Sequence, residues 1–306
     1  MLRRGDKIEL IAPASGFTRV EYDSCLKFVN DIGLIPSVPA YDELIDSSML
    51  FFANQKQKRF EMLKKAVLAK DSKAIWCMAG GYGSYQLLSD LENIKPEINK
   101  AIIGFSDNTV LLNYAVDKWG WQAIHGPMLK NLSADELTGQ AVESIKVVIF
   151  GSDIKIENLI ACNDAAKRAG ELNGVLIGGC LSLMQVFIGT PEDVDYKDKI
   201  LLLEDDRFES PQRISRILDH MIRAGIFNKV KAVILGSFLE SDEQKDELKL
   251  AFTDLKQILD KQNKPLLWGK NLGHCPDMRP LVLGADVKIK LGDRPILESE
   301  FNLAGA

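Results

Sequence analysis

Ala101–Trp119 reads AIIGFSDNTVLLNYAVDKW. The stretch opens apolar and extended through Ile102 and Ile103. It turns at Gly104-Phe105-Ser106-Asp107, then places Val110, Leu111, Tyr114 and Ala115 at helical spacing. A buried strand, a sharp turn and a helix form the repeating unit of α/β folds. The turn carries a serine, and two readings of it stay open. Ser106 can cap the helix by accepting from its first N–H groups. Alternatively, the turn lifts its hydroxyl above the sheet as a nucleophile, beside unpaired helix N–H groups that favour a developing negative charge.

The same alternation extends outward. Ile8–Ala12 reads as a buried strand, followed by the small-residue loop Pro13–Gly16 and a helix over Glu21–Asp31 closed by Gly33. Asn54–Leu68 reads as a helix with Phe60, Leu63 and Val67 inward. Ala74–Met78 is a strand, a helix begins near Ser84, Trp121–His125 is a strand, and Asp135–Ile149 is a helix stopped by Gly151. Beyond Gly151 the pattern changes. Strands are expected at Ile154–Ile156, Glu171–Ile177, Lys199–Glu204, Val230–Leu235, Leu266–Trp268, Leu281–Leu283 and Val287–Leu291. Helices are expected at Leu181–Phe187, Pro211–Ala224 and Asp246–Gln262. The expected fold class is therefore α/β. An N-terminal, mostly parallel-sheet domain (1–150) and a linker (151–168) precede a mixed α/β C-terminal domain (169–306).

The chain has 306 residues, of which 46% are apolar, enough for a sizeable core. Its net charge of −5 argues against general nucleic-acid binding. The five cysteines are scattered and lack C-x-x-C spacing, as expected of reduced thiols rather than a disulfide framework or zinc site. No signal peptide is evident, and no apolar run approaches the roughly 18 residues of a membrane span. A cytoplasmic protein without membrane contact is the expectation.

Gly80-Gly81-Tyr82-Gly83 lies between a strand and a helix. Glycines there suit either a tight turn or a backbone N–H brought close to a ligand. With the N–H of Asp107, such a loop could complete an oxyanion hole. A serine nucleophile needs a base near neutrality. His220 sits between apolar residues of an amphipathic helix, in ILDHMIRAG, and reads as structural. His125 ends a strand before Gly126-Pro127 and could line a pocket or satisfy backbone groups. His274, in the irregular loop Gly273-His274-Cys275-Pro276-Asp277, is the better base. Glu204 or Asp205, ending a buried strand, could orient it. The acidic run 204–206 could instead be a solvated strand end. A metal reading is weak, because three adjacent acids cannot all point one way from a strand, and neither a calcium loop nor H-E-x-x-H spacing is present.

Several segments together carry a resemblance: IELIAPAS (8–15), FFANQKQKR (51–59), GGYGSYQLL (80–88), IGFSDNTVLL (103–112), HGPM (125–128), GVLIGGCLSL (174–183), LLLEDDRFESPQRISRIL (201–218) and GHCPDMRPLVLG (273–284). In their order and spacing the chain resembles the LD-carboxypeptidases, serine peptidases that include the microcin C self-immunity hydrolases. The resemblance implies Ser106 as nucleophile, His274 as base, Glu204 as the orienting acid, and the N–H groups of Gly81 and Asp107 as oxyanion hole. It also implies an active site in the groove between the two domains, and a homodimer that releases terminal D-alanine from a murein tetrapeptide during cell-wall recycling, with neither metal nor cofactor. Gly80, Tyr82, Arg207 and Arg279 are the expected substrate-binding residues, with Arg213 and Arg216 as further candidates for gripping a terminal carboxylate. The chain departs from the family pattern at Ala79, where arginine is usual, at Cys180, where asparagine is common, and at Gln212 and Ser215. These changes bear on the substrate more than on the triad. The immunity branch, which cuts aminoacyl nucleotides, is the alternative; a non-catalytic two-domain binding protein is the second.

Overall fold

A computed structural model describes residues 1–134, 136–206, 208–238 and 245–302. Short apolar runs, buried on both faces, build the first half. In chain order these elements are β1 (Lys7–Ile11), α1 (Arg19–Asp31), β2 (Ile35–Ser37), α2 (Lys56–Leu68), β3 (Ala74–Cys77), β4 (Ala101–Gly104), α3 (Thr109–Trp119), β5 (Ala123–His125) and α4 (Gly139–Ile149). The five strands are parallel in the order β5-β4-β3-β1-β2. The order reverses between β1 and β3, and open α/β sheets bind ligands at the carboxyl ends of the strands at such a point. Here that crevice receives the loops Pro13–Gly16, Gly80–Gly83 and Gly104–Asp107.

The second half contains β6 (Ile154–Ile156), β7 (Ile160–Ala161), β8 (Gly170–Cys180), α5 (Leu181–Met184), β9 (Ile200–Asp205), α6 (Pro211–Arg223), β10 (Ala232–Phe238), α7 (Lys245–Ala251), α8 (Thr253–Lys261), β11 (Leu266–Trp268), β12 (Leu281–Leu283), β13 (Asp286–Leu291) and β14 (Ile296–Ser299). Its sheet runs β6-β14-β13-β8-β9-β10-β11-β7. The centre, β8 to β11, is parallel, and both flanks are antiparallel. This mixture is the antiparallel character expected beyond Gly151. β12 leaves this half and pairs antiparallel with β5, extending the first sheet. α3 faces the second sheet from the other side: Asn113 donates to the Gly178 carbonyl and accepts from the Gly178 N–H.

Several elements differ from expectation. The stretch read as a linker, 151–168, carries the strand expected at Ile154–Ile156 as β6 and supplies β7 as well. β2, β7 and β14 are short strands that the apolar pattern does not mark. The helix expected from Asp135 begins at Gly139, where Thr138 accepts from the Ala141 N–H as its cap; Asp135 itself lies outside the described residues. The helix expected over Asp246–Gln262 is divided at Phe252 into α7 and α8. In α2, Leu63 and Val67 are buried as expected, but Phe60 is only half-buried, and the largest side chain wholly inside is Arg59.

Candidate active site

Ser106 follows β4 with φ +58, in the left-handed region. A helix-capping serine needs an extended backbone and a side-chain bond to the following turn. Ser106 has neither: the turn Ser106–Asn108 leads into α3 with no side-chain cap bond. The cap reading is therefore replaced by a hydroxyl displayed on a sharp strand-to-helix turn. A non-glycine residue held there costs about 1–3 kcal/mol, and the surroundings must enforce it. Asn108 does so by donating to the carbonyls of Ala79 and Phe105 and accepting from the Ser84 hydroxyl. The buried Asp107 carboxylate accepts from the Ser84 N–H at 2.7 Å. Burial raises its pKa, against the opposing pull of these hydrogen bonds and of Arg59.

The glycine loop lies directly against this turn. A Cβ on Gly80 would stand 3.4 Å from that of Ser106. Gly81 has φ +100, and a Cβ there would fall 2.2 Å from Ser15 Oγ, so only glycine fits. Ser15 pins the loop from both sides: its N–H donates to the Gly80 carbonyl, and its Oγ accepts from the Tyr82 N–H. A trans peptide sets N–H and C=O in opposite directions. The Gly81 N–H therefore points away from Ser15. The Asp107 N–H belongs to the first helical turn, where N–H groups lack an intrahelical partner.

Arg59 braces these loops from beneath. Its guanidinium donates to the carbonyls of Pro13, Asn54 and Gly83 and to Gln86 Oε1, and it lies over the Phe52 ring. Nothing in the sequence marks this residue apart from the other basic residues of QKQKR. The one usable signal is the position of Arg59 on the same helical face as Leu63, Ala66 and Val67.

Glu204 and His274 come from the second sheet. β9 delivers Glu204 wholly buried, and two glycines make room for it. A Cβ on Gly236 would come within 2.7 Å of Glu204 Cβ, and one on Gly273 within 2.1 Å of Oε2. Glu204 Oε2 accepts from His274 Nδ1 at 2.7 Å and from the His274 N–H at 3.0 Å. Burial favours a neutral His274, but the charge of Glu204 and this hydrogen bond outweigh it and hold the pKa above the usual histidine value. Burial likewise pushes Glu204 up, while His274 pulls it below the usual carboxylate value. Asp206 Oδ2 stands 3.8 Å from Nε2 on the far side of the ring. Asp205 points elsewhere, accepting from the N–H groups of Ser182 and Asp206 and from the Cys180 thiol. Burial raises its pKa to about 6.

Ser106, Gly80, Gly81, Tyr82, Asp107, His274, Asp205 and Asp206 all line one cleft of about 760 Å³ between the two sheets. Among the described residues, Ser106 Oγ makes no hydrogen bond. Such a contact is commonly long without substrate and tightens in the complex. Cys180 and Arg213 also face the cleft, and Arg213 pairs with Glu209 at 2.8 Å. Arg279 does not: it lies in a separate depression beside Asp277, at 3.5 Å. Arg207 lies outside the described residues. His220 is exposed on α6 and touches Gln185, whereas His125 is wholly buried behind Glu204. No cluster of potential metal ligands occurs among the described residues, nor any helix long and apolar enough to cross a membrane.

Sequence profiles match both halves: the LD-carboxypeptidase N-terminal domain at residues 8–126 and the LD-carboxypeptidase C-terminal domain at residues 173–289. A Rickettsia conorii protein with a provisional carboxypeptidase name is 32% identical over 92% of this chain and 87% of its own. Among solved structures, the muramoyltetrapeptide carboxypeptidase of Oxalobacter formigenes superposes with a TM-score of 0.80 at 22% identity, covering 97% of this chain and 99% of the other. MccF in complex with glutamyl sulfamoyl guanosine superposes with a TM-score of 0.78 at 20% identity, over 98% and 97%.

Proposed function

The chain belongs to the LD-carboxypeptidase family of serine-type enzymes, and from that premise we propose that it releases terminal D-alanine from a murein tetrapeptide through Ser106, His274 and Glu204. The observation that carries the mechanism is the shared cleft: a left-handed Ser106 and a His274 held by a buried Glu204 open onto the same space. His274 Nε2 takes the proton of Ser106 Oγ as the hydroxyl attacks the carbonyl carbon. Glu204 fixes the ring and stabilises the imidazolium. The N–H groups of Gly81 and Asp107 receive the oxyanion, and removing one such donor typically costs about 3 kcal/mol. His274 returns the proton to the leaving amine, and water then resolves the acyl-enzyme by the reverse route. Arg213, which lines the cleft together with Lys130, holds the terminal carboxylate in this reading once it leaves Glu209.

This reading makes the protein a cytoplasmic homodimer acting in cell-wall recycling, with the domain division near residue 150. The test is incubation with murein tetrapeptide and mass spectrometry for loss of one D-alanine. Native protein should remove it, and Ser106→Ala should not, while keeping the native circular dichroism. A fully active Ser106→Ala protein would sink the mechanism. The second reading, hydrolysis of an aminoacyl-nucleotide conjugate, draws on the likeness to MccF bound to a glutamyl sulfamoyl nucleoside and on the aromatic side chains at the cleft, Tyr82, Tyr85 and Phe208. Release of nucleoside from such an analogue, with tetrapeptide left intact, would decide for it.

A further inference from the structure

His125 ends β5 with no exposed surface, and neither of its ring nitrogens has a hydrogen-bond partner. Opposite it, Glu204 Oε1 is also buried without one. His125 Nε2 and Glu204 Oε1 lie 3.7 Å apart. Buried polar groups are nearly always paired, so two orphans that face each other are each other's natural partner. A ring shift of about 0.7 Å brings them to hydrogen-bond distance. The other carboxylate oxygen is already committed to His274.

We propose that His125 is a positioning residue: as the neutral Nε2–H tautomer it donates to Glu204 Oε1 and thereby holds the carboxylate with Oε2 aimed at His274. The inference rests on the Ser106–His274–Glu204 reading. Three features suit the role. β5 and β9 belong to different sheets, so the bond ties the acid of one half to the scaffold of the other. The ring is wedged: Phe105 meets it edge-on with centroids 6.1 Å apart, and Gly179, at φ +135, leaves Nδ1 the space a Cβ would take. Burial, against the pull of Glu204, keeps the ring neutral down to about pH 4. It therefore adds no second positive charge beside the imidazolium that forms on His274. Among the described residues, Glu204 pulls its pKa up and His274 pushes it down.

The test compares His125→Phe, which keeps a ring and removes the donor, with His125→Gln, whose amide nitrogen reaches the place of Nε2. Against tetrapeptide, kcat of H125F should fall on the order of 10²-fold, the usual consequence of misaimed catalytic groups, with KM within about twofold. H125Q should recover most of that loss. H125F with kcat within about twofold of native, or H125Q as impaired as H125F, overturns the proposal. If H125F does not fold, nitrogen-15 spectra of the native imidazoles decide. A His125 ring protonated only at Nε2 from pH 5 to 8 supports the bond, and one protonated at Nδ1 overturns it. That measurement needs no substrate, so failure of the serine mechanism, read from Ser106→Ala, is distinguished from failure of this inference.

Discussion

Ser106 shows what one dihedral angle decides. The residues around it allow a cap or a displayed hydroxyl and by themselves favour the cap, because sequence does not encode the sign of φ at a single serine. The same limit applies to Glu204-Asp205-Asp206. Alternation along a strand says that they diverge, but only the glycines at 236 and 273 and the loop at 274 determine which one meets the histidine. Two predictions follow from their charges. Asp206 helps raise the His274 pKa. Replacing it with Asn removes a negative neighbour and destabilises the imidazolium, so His274 loses its proton at lower pH. The acid limb of kcat/KM, expected above pH 6.5 in the native enzyme, should therefore move to lower pH in Asp206→Asn; an upward shift in the pH–rate profile would refute this. Asp205 acts on stability. Its folded pKa of about 6 exceeds the usual 3.8, so the native state binds the proton more tightly than the unfolded chain. That contribution is full below about pH 4 and is lost as pH rises through 6. Urea midpoints of native protein should decline over this window relative to those of Asp205→Asn; parallel curves would show that Asp205 is not responsible.

At the scale of elements, the strand–turn–helix units of the first half were legible because buried parallel strands are nearly continuous apolar runs bounded by glycine. The loops were legible as places but not as shapes. Ser15, Asn108 and Arg59 determine those shapes, and their bonds reach across long sequence separations that no local pattern records. β2, β7 and β14 were missed for a related reason. Each has two to four residues and becomes a strand only by pairing with a longer neighbour. Arg59 allows a quantitative check. Arg59→Met fills much of the same volume but strands the carbonyls of Pro13 and Asn54, while Gly83 keeps the Gln86 N–H. A buried group left unsatisfied costs about 1–3 kcal/mol, so a loss of roughly 3 kcal/mol or more is expected in urea unfolding. Tetrapeptide turnover should fall as well, since the loop carrying Gly81 loses its support. A variant of native stability would show that water replaces the guanidinium.

For the whole molecule, the chain crosses between its two sheets more often than a two-domain reading of the sequence suggests. It leaves the first sheet after β5, builds most of the second, returns through β12 to pair with β5, and then completes the second with β13 and β14. β12 was legible as a strand, but its sheet was not, since LVL fits either. This return makes the halves interdependent. Leu281, Val282 and Leu283 are wholly buried and lie opposite His125, Ile124 and Ala123. A fragment of residues 1–168 would lack β12 and leave the apolar edge of β5 open, and such edges seek other chains. It would also lose Gly178, leaving the buried Asn113 amide without that partner. The fragment should therefore bind hydrophobic dye, scatter light and lack a cooperative thermal transition. The full chain should melt in a single step, with calorimetric and van 't Hoff enthalpies in agreement. A fragment melting cooperatively near the full-length Tm would show that the first sheet stands alone and that β12 only decorates its edge.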